Sequence, residues 1–362
     1  MDTGKLNRIL EAMKEQDMPQ MIIADPLTIF WLTGKMIVPG ERLLALYLNV
    51  NGSHKLMINE LFPQEKDLGV KLVYYNDVQD GVEILSKFVE KDKPIGIDKI
   101  WPARFLLRLQ ELGAGSKFLN GSMIIDYIRM IKDEKEQALM RESSRLNDIA
   151  VERLIPWVGK GLTEKELNAK IREIYKELGC EDVSFDPITA YAKGAADPHH
   201  VTDDSKGKRG DCVILDIGGF KDHYASDLTR TVFIGEVSDR AREIYDIVVE
   251  ANRRGIAAAK PGNRMCDVDA AARDYITEKG FGEYFTHRTG HSIGLEDHEF
   301  GDVSSVNTDI IKPGQCFSVE PGIYLADEGI GVRIEDLVLI TEDGCEVLNH
   351  FTKDLIIVPE EA

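Results

Sequence analysis

Between Cys212 and Ile234, apolar or β-branched residues alternate with polar ones on either side of Gly218-Gly219 and Lys221-Asp222, a pattern that predicts two strands around a turn. Each predicted strand carries one carboxylate, Asp216 and Asp227. A turn centred near Lys221-Asp222 sets the two opposite one another on one face, about 5 Å apart. The design recurs farther on, where Glu320 in CFSVEPGIYL and Glu335 in GVRIEDLVLI flank Ala326-Asp327-Glu328-Gly329. A second hairpin therefore opposes a second carboxylate pair. At an effective dielectric of about 20, each pair repels by about 3 kcal/mol, so four converging anions need cations, and a metal site is the simplest source.

Helical periodicity organises the residues before these hairpins. Leu139, Ser143, Leu146, Ala150 and Leu154 share one face, so a long helix opened by an Asp133/Glu136 capping pair is expected to run to Pro156. A second helix follows Gly161, with Thr163 and Glu166 as its capping box, Leu167, Ile171, Ile174 and Leu178 as its apolar stripe, and Gly179 as its stop. The order then repeats. Arg240 to Ala259 reads as another long helix, Gly262 opens a turn as Gly161 does, and Gly280 follows at the same offset as Gly179. A histidine and a carboxylate hairpin close each half: His199 before Asp216 and Asp227, His291 before Glu320 and Glu335. Two related halves around a shared centre are expected.

Residues 1 to about 130 mix the two periods, with helical patterns at Leu6 to Met13, Val82 to Val89 and Ala103 to Leu112. Strand patterns begin at Met21, in LLALYLNV and at Ile95-Gly96-Ile97. This is an α/β domain, 1–130, and a strongly charged stretch from Arg129 to Glu136 marks its boundary with a second, 131–362. The first has no cluster of ligand-type residues, and its only histidine, His54, stands beside an expected turn. Its expected role is assembly, as a homodimer.

A chain of 362 residues with 43% hydrophobic content supports more than one core. Its 44 Lys and Arg against 63 Asp and Glu give a formal charge of −19, the wrong sign for a nucleic-acid or anionic-membrane partner. No run of about 18 apolar residues appears, and MDTGKLNRILEAMKEQ is amphipathic rather than a signal peptide, so a soluble, cytoplasmic protein is expected. Cys180, Cys212, Cys266, Cys316 and Cys345 make no CxxC pair and are expected to be reduced, buried thiols.

The histidines differ in setting. His199 lies in the loop Asp197-Pro198-His199-His200, and His291 has glycine neighbours in Thr289-Gly290-His291-Ser292-Ile293-Gly294 that allow close backbone approach to a ligand. His298-Glu299 follow in the same loop. His223, His287 and His350 lack such surroundings, and no functional role is expected of them.

In order along the chain, LDIGG and SDLTRT, TGHSIGLEDHE, VEPGIY and RIED resemble the signatures of the M24 metallopeptidases with the pita-bread fold, Xaa-Pro aminopeptidases and prolidases above all. That likeness spans most of residues 131 to 350. ADPLTIFWLTG and the strands after it resemble the creatinase-type amino-terminal domain that accompanies these enzymes. The resemblance implies five metal ligands, Asp216, Asp227, His291, Glu320 and Glu335, around two divalent ions, with manganese favoured by oxygen-rich ligation over cobalt, iron or zinc. It also implies His199 and His298 on the substrate side, Arg333 supporting the ligands, and Glu320 as proton shuttle for a water that the ions acidify. Tyr191-Ala192-Lys193-Gly194 and Phe300-Gly301-Asp302 depart from the family pattern.

The implied substrate is a proline-containing peptide. Asp302 stands four residues after His298, where several dipeptide-specific prolidases carry an arginine. A guanidinium there suits a free carboxylate, whereas an aspartate repels one. On this ground an Xaa-Pro aminopeptidase acting on tri- and longer peptides is expected, with an Xaa-Pro dipeptidase as the alternative. A catalytically idle pita-bread protein that binds peptides or partners is the alternative of a different class, against which the intact ligand set weighs. In a dimer, the loop Gly34 to Arg42 is expected to reach the neighbour's cleft, as it does in some relatives.

Overall fold

A computed structural model describes residues 1–198 and 200–361, so His199 lies outside the described residues. The contacts fall into two units, Met1–Arg129 and Met130–Ala362. In the first, six strands form one mixed sheet in the order Lys71–Tyr75, Lys55–Asn59, Ala45–Asn49, Gln20–Ile23, Pro94–Ile97 and Lys117–Asn120. The Gln20–Ile23 strand is buried along its whole length, as its apolar MII run requires of a strand covered on both faces. Helix Pro26–Thr33 escapes periodic analysis because PLTIFWLT is largely apolar on every side. Its ends specify it: Asp25 accepts from the N–H groups of Leu27 and Thr28, Pro26 opens the first turn, and Gly34 closes it at φ 70°. In the loop that follows, Arg42 donates to Asp77 through two bonds of 2.8 Å.

The second unit opens with helix Glu134–Val158, whose reciprocal Asp133/Glu136 capping box is present. It continues two residues beyond Pro156, its expected end; so close to the terminus, the missing N–H removes one bond without breaking the helix. Helix Glu164–Glu177 carries the Thr163/Glu166 box. The second half repeats the plan with helices Asp239–Ala258 and Met265–Glu278. Gly161 and Gly179 at φ 67° and 75° correspond to Gly262 and Gly280 at 87° and 88°, left-handed turns that favour glycine.

Matched polar contacts express this repeat more clearly than sequence identity does. Asn147 and Asn252, each thirteen residues beyond the first residue of its helix, donate to the carbonyls of Ile217 and Val319 at 2.9 and 2.8 Å. Those carbonyls adjoin Asp216 and Glu320. Asn168 and Asp269, each four residues into the shorter helix, accept from Thr189 and Thr289 at 2.8 and 2.7 Å. Each helix pair thus anchors the strands that bear the carboxylates.

Strands Ile356–Val358, Leu228–Ile234, Cys212–Ile217 and Ile188–Tyr191 form one sheet, and Glu299–Val303, Gly290–Ser292, Cys316–Val319, Asp336–Ile340 and Cys345–Val347 another. The first carboxylate hairpin corrects the expected register. Asp216 pairs with Thr229 rather than Asp227, and the turn residues are Asp222 and His223, at φ 50° and 68°. Aspartate and histidine enter the left-handed region more readily than Lys221 does, so the turn centres one residue later and the register shifts by two. A shift of two keeps the face, leaving Asp216 and Asp227 as diagonal rather than direct neighbours.

Among the described residues, no helix is long and apolar enough to cross a membrane. All five cysteines are free; Cys212 and Cys316 are buried, but Cys180, Cys266 and Cys345 are only half-buried, contrary to expectation.

Candidate metal centre

Glu320 and Glu335 sit where two ladders part. Each backbone N–H leaves the hairpin for another carbonyl: Glu320 donates to Thr289 at 2.8 Å and Glu335 to Thr229 at 3.1 Å. The break turns both side chains into a cavity of about 460 Å³ that Asp216, Asp227 and His291 also line. Ligand atoms of Asp227, His291 and Glu335 lie within 4.8 Å of one another, all three residues being buried. His291 Nε2 is 3.5 Å from both Asp227 and Glu320. Its Nδ1 faces the Ser292 carbonyl at 3.2 Å, which puts the proton there and leaves the Nε2 lone pair directed at the carboxylates.

The electrostatics are those of a site built for cations. Burial, then Glu335, Asp297, Asp216 and Glu320, pushes the Asp227 carboxyl well above the ordinary range. Burial, then Glu320 and Asp216, does the same to Glu335, and burial chiefly raises Glu320. Burial lowers His291 to about 4, so the imidazole is neutral and free to ligate. Asp216 Oδ1, Asp227 Oδ1 and Glu335 Oε1 are buried and, among the described residues, accept no hydrogen bond. Orphaned carboxylate oxygens are costly, and divalent ions held between them would satisfy all three.

Around the cluster runs a continuous relay. Arg333 donates through Nη2 to Asp216, through Nη1 to the Tyr324 hydroxyl at 2.9 Å and through Nε to Thr229 at 3.3 Å, while Thr229 Oγ1 donates to Glu335 at 2.7 Å. His287 Nδ1 meets the Arg288 carbonyl at 2.7 Å, so its Nε2 accepts from Tyr324 at 2.8 Å. His287 therefore corrects the expectation of no role: it lines the cavity and steadies Tyr324. Its isolation in sequence from the glycine-rich loop hid it.

His298 also lines the cavity, its ring 3.8 Å from that of His291. Burial, then His291, lowers it to about 4. Its Nδ1 accepts from Arg288 Nη2 at 3.3 Å, which assigns the ring proton to Nε2. Asp297, Arg288 and the apolar Phe185, Ile188 and Pro198 complete much of the lining and were not anticipated. Burial and then Asp216 and Glu320 raise Asp297 to about 7. Asp302 is not among the lining residues. It pairs in register with His291, and its side chain faces Asn307 at 3.5 Å.

A second acidic group, Glu164, His200 and Asp203, meets metal-like spacing but is a fastener. Glu164 is buried and accepts from His200 Nε2 at 2.6 Å and from the N–H groups of Tyr191 at 3.0 Å and Asp203 at 2.9 Å. Three donors from the loop that it pins thus occupy most of its lone-pair positions.

A cation-binding cavity at the centre of two repeated halves is the architecture of a metal-dependent hydrolase, and sequence comparison agrees. Residues 138–342 match metallopeptidase family M24, and residues 5–131 match the creatinase/prolidase N-terminal domain. The chain belongs to family M24: it is a metallopeptidase, and its second unit has the pita-bread fold. It is 35% identical over 352 residues to a peptidase of Staphylococcus aureus (strain MW2), covering 96% of this chain and 99% of that one. The crystal structure of a prolidase from Pyrococcus horikoshii OT3 superposes with a TM-score of 0.89 at 32% identity, covering 98% of this chain and 100% of the other. An X-Pro aminopeptidase from Thermotoga maritima MSB8 gives 0.83 at 30% identity, covering 94% and 98%.

Proposed function

We propose that this protein uses two divalent ions, manganese by preference, to hydrolyse the bond between an amino-terminal residue and a following proline, with dipeptides its preferred substrates. The observation that carries the reading is the convergence of Asp216, Asp227, His291, Glu320 and Glu335 on one cavity, with buried carboxylate oxygens left without donors. Those five residues would hold the ions, and oxygen-rich ligation favours manganese. When bound, the ions supply Lewis acidity and lower the pKa of a water to near neutrality.

The chain's own residues supply the rest. Ser318 donates to Glu320 Oε1 at 3.1 Å, leaving Oε2 to take a proton from the attacking water and deliver it to the leaving nitrogen of proline. Burial raises the Glu320 carboxyl, which suits it to that transfer. His298, protonated on Nε2, donates to the oxygen of the tetrahedral adduct, and His199 shares this role by the resemblance. Arg333 holds Asp216 in place. The apolar wall of Phe185, Ile188 and Pro198 suits a proline ring.

The preference for longer peptides depended on Asp302 standing beside the substrate's terminus. With Asp302 outside the lining and Arg288 within it, the electrostatic balance favours a substrate with a free carboxylate. Residues 131–362 are assigned catalysis. Residues 1–130, where Val38, Leu61 and Val78 remain 72%, 62% and 93% exposed, are assigned assembly of a homodimer. Incubation of manganese-loaded protein with Ala-Pro, Ala-Pro-Ala and Ala-Ala tests the activity: cleavage before proline, fastest for Ala-Pro, is expected. No turnover of either proline peptide would refute it.

A further inference from the structure

We infer that a triad of charges behind the cavity, Arg230, Asp336 and Lys353, positions Glu320 and Glu335 and so sets how tightly the second divalent ion is held; this rests on the two-ion reading above. Arg230 lies in the strand Leu228–Ile234 and is 1% exposed. All five N–H donors of its guanidinium are engaged. Nε meets the Thr352 carbonyl at 3.0 Å, and Nη1 the carbonyls of Thr229 and Glu335 at 2.9 and 2.6 Å. Nη2 meets the Asp336 carboxylate at 2.7 Å and the Phe351 carbonyl at 2.8 Å. Lys353 Nζ donates to the other Asp336 oxygen at 2.6 Å and to Asn252 Oδ1 at 2.9 Å. Asn252 in turn donates to the carbonyls of Val319 and Ile334 at 2.8 and 3.4 Å.

These contacts end on the backbone of the two carboxylates that stand where the ladders part. Glu335 rests on the strand of Arg230 through both backbone groups: its N–H donates to Thr229, and its carbonyl accepts from Arg230. Glu320 is reached through the carbonyl of Val319, the residue before it. The repeat shows the device to belong to one half alone, because Asn147, the counterpart of Asn252, accepts from the neutral Tyr175 hydroxyl at 2.6 Å. A buried ion pair contributes little net stability relative to apolar side chains of the same volume, since desolvation offsets the attraction. Its directional bonds fix geometry instead, and contacts one step behind metal ligands change affinity by about 10- to 100-fold. None of the three side chains lines the cavity, so their effect passes through Glu320 and Glu335.

The test titrates metal-stripped wild type, Arg230→Lys and Lys353→Met with manganese by calorimetry, well below their melting temperatures. Glu164→Ala serves as a variant destabilised away from the cavity. An ammonium at position 230 keeps the charge but cannot span the carbonyls of Thr229, Glu335, Phe351 and Thr352 at once. The dissociation constant of the second equivalent is expected to rise on the order of 10- to 100-fold in Arg230→Lys and by less in Lys353→Met, with the first equivalent unchanged. Glu164→Ala should bind both equivalents as the wild type does. Wild-type affinity for the second ion in both triad variants, an equal loss at both equivalents, or a matching loss in Glu164→Ala would overturn the inference and leave the two-ion reading intact. Lys353 is at the half-buried edge of the triad, so if Arg230→Lys does not fold, unchanged second-ion affinity in Lys353→Met alone overturns it. A wild type that binds only one equivalent would instead overturn the two-ion reading, and this inference with it.

Discussion

Glu320 and Glu335 occupy directly opposed positions in one register that two ladders share: Val319 pairs with Asp336 on one side of them and Gly322 with Arg333 on the other. The ladder opens only at the carboxylates, so the repulsion between them is confined to the point where cations answer it. In metal-stripped protein, Glu335→Gln removes one buried acid whose ionisation burial and its neighbours oppose, yet retains an acceptor for Thr229. It is expected to stabilise the stripped protein by about 1–3 kcal/mol at pH 7.5, read as a higher melting temperature, while lowering the bound metal below that of the wild type. A lower melting temperature in the stripped state would contradict the repulsion.

The pH dependence of the stripped protein follows from the same carboxyls. Asp227 and Glu335 are raised well above the ordinary value near 4, and Asp297 reaches about 7, in each case by burial first and then by neighbouring anions. A raised carboxyl binds more protons folded than unfolded, so its contribution is present at low pH and is lost as pH rises through the folded value. His291 and His298, both lowered to about 4, act oppositely, but only below their ordinary value of about 6.5. Between about pH 4 and 6.5 the two histidines offset part of the loss from the three carboxyls, so the melting temperature of the stripped protein should fall only gently there and more steeply from pH 6.5 toward pH 9, whereas the loaded protein stays level across that upper interval. Thermal melts at fixed ionic strength check this.

Arg333→Met leaves Asp216 buried without its guanidinium and Tyr324 without its donor. Loss of one partner from a buried pair costs about 3–5 kcal/mol. The stripped variant should show that loss in urea titration, and the loaded variant a smaller one, because bound cations take over part of the compensation. Equal losses in both states would separate Arg333 from the metal centre.

Legibility of the site varied with how far each feature depended on local pattern. Glu320 and Glu335 were read correctly because strand alternation on both sides fixed one register around a four-residue turn. Asp216 and Asp227 were misregistered by two, since that depended on which residues accept left-handed φ, yet the period of two kept them on one face. His287, Arg288 and Asp297 enter the cavity through loop geometry that alternation does not encode. Helix Pro26–Thr33 was hidden by uniform hydrophobicity and is evident only in its caps. Asp302 shows why four residues of sequence separation do not specify direction: a register shift between His291 and Ser292 intervenes, and the strand turns that side chain toward Asn307.

Glu164 offers a control for the distinction between fastener and metal site. Glu164→Ala removes the acceptor for three donors, two of them backbone N–H groups, and should destabilise the protein by about 1–3 kcal/mol in urea titration. Bound metal, measured by elemental analysis, should be unchanged. A loss of one equivalent would make this cluster a metal site.

The most direct measurement is a titration of metal-stripped protein with manganese, following Ala-Pro hydrolysis and bound metal together. Activity should be absent without metal, rise with added ion and level off at two equivalents per chain, with Asp227→Asn abolishing both the plateau and full occupancy. Saturation at one equivalent, or turnover by the stripped protein, would contradict a dinuclear centre built from Asp216, Asp227, His291, Glu320 and Glu335.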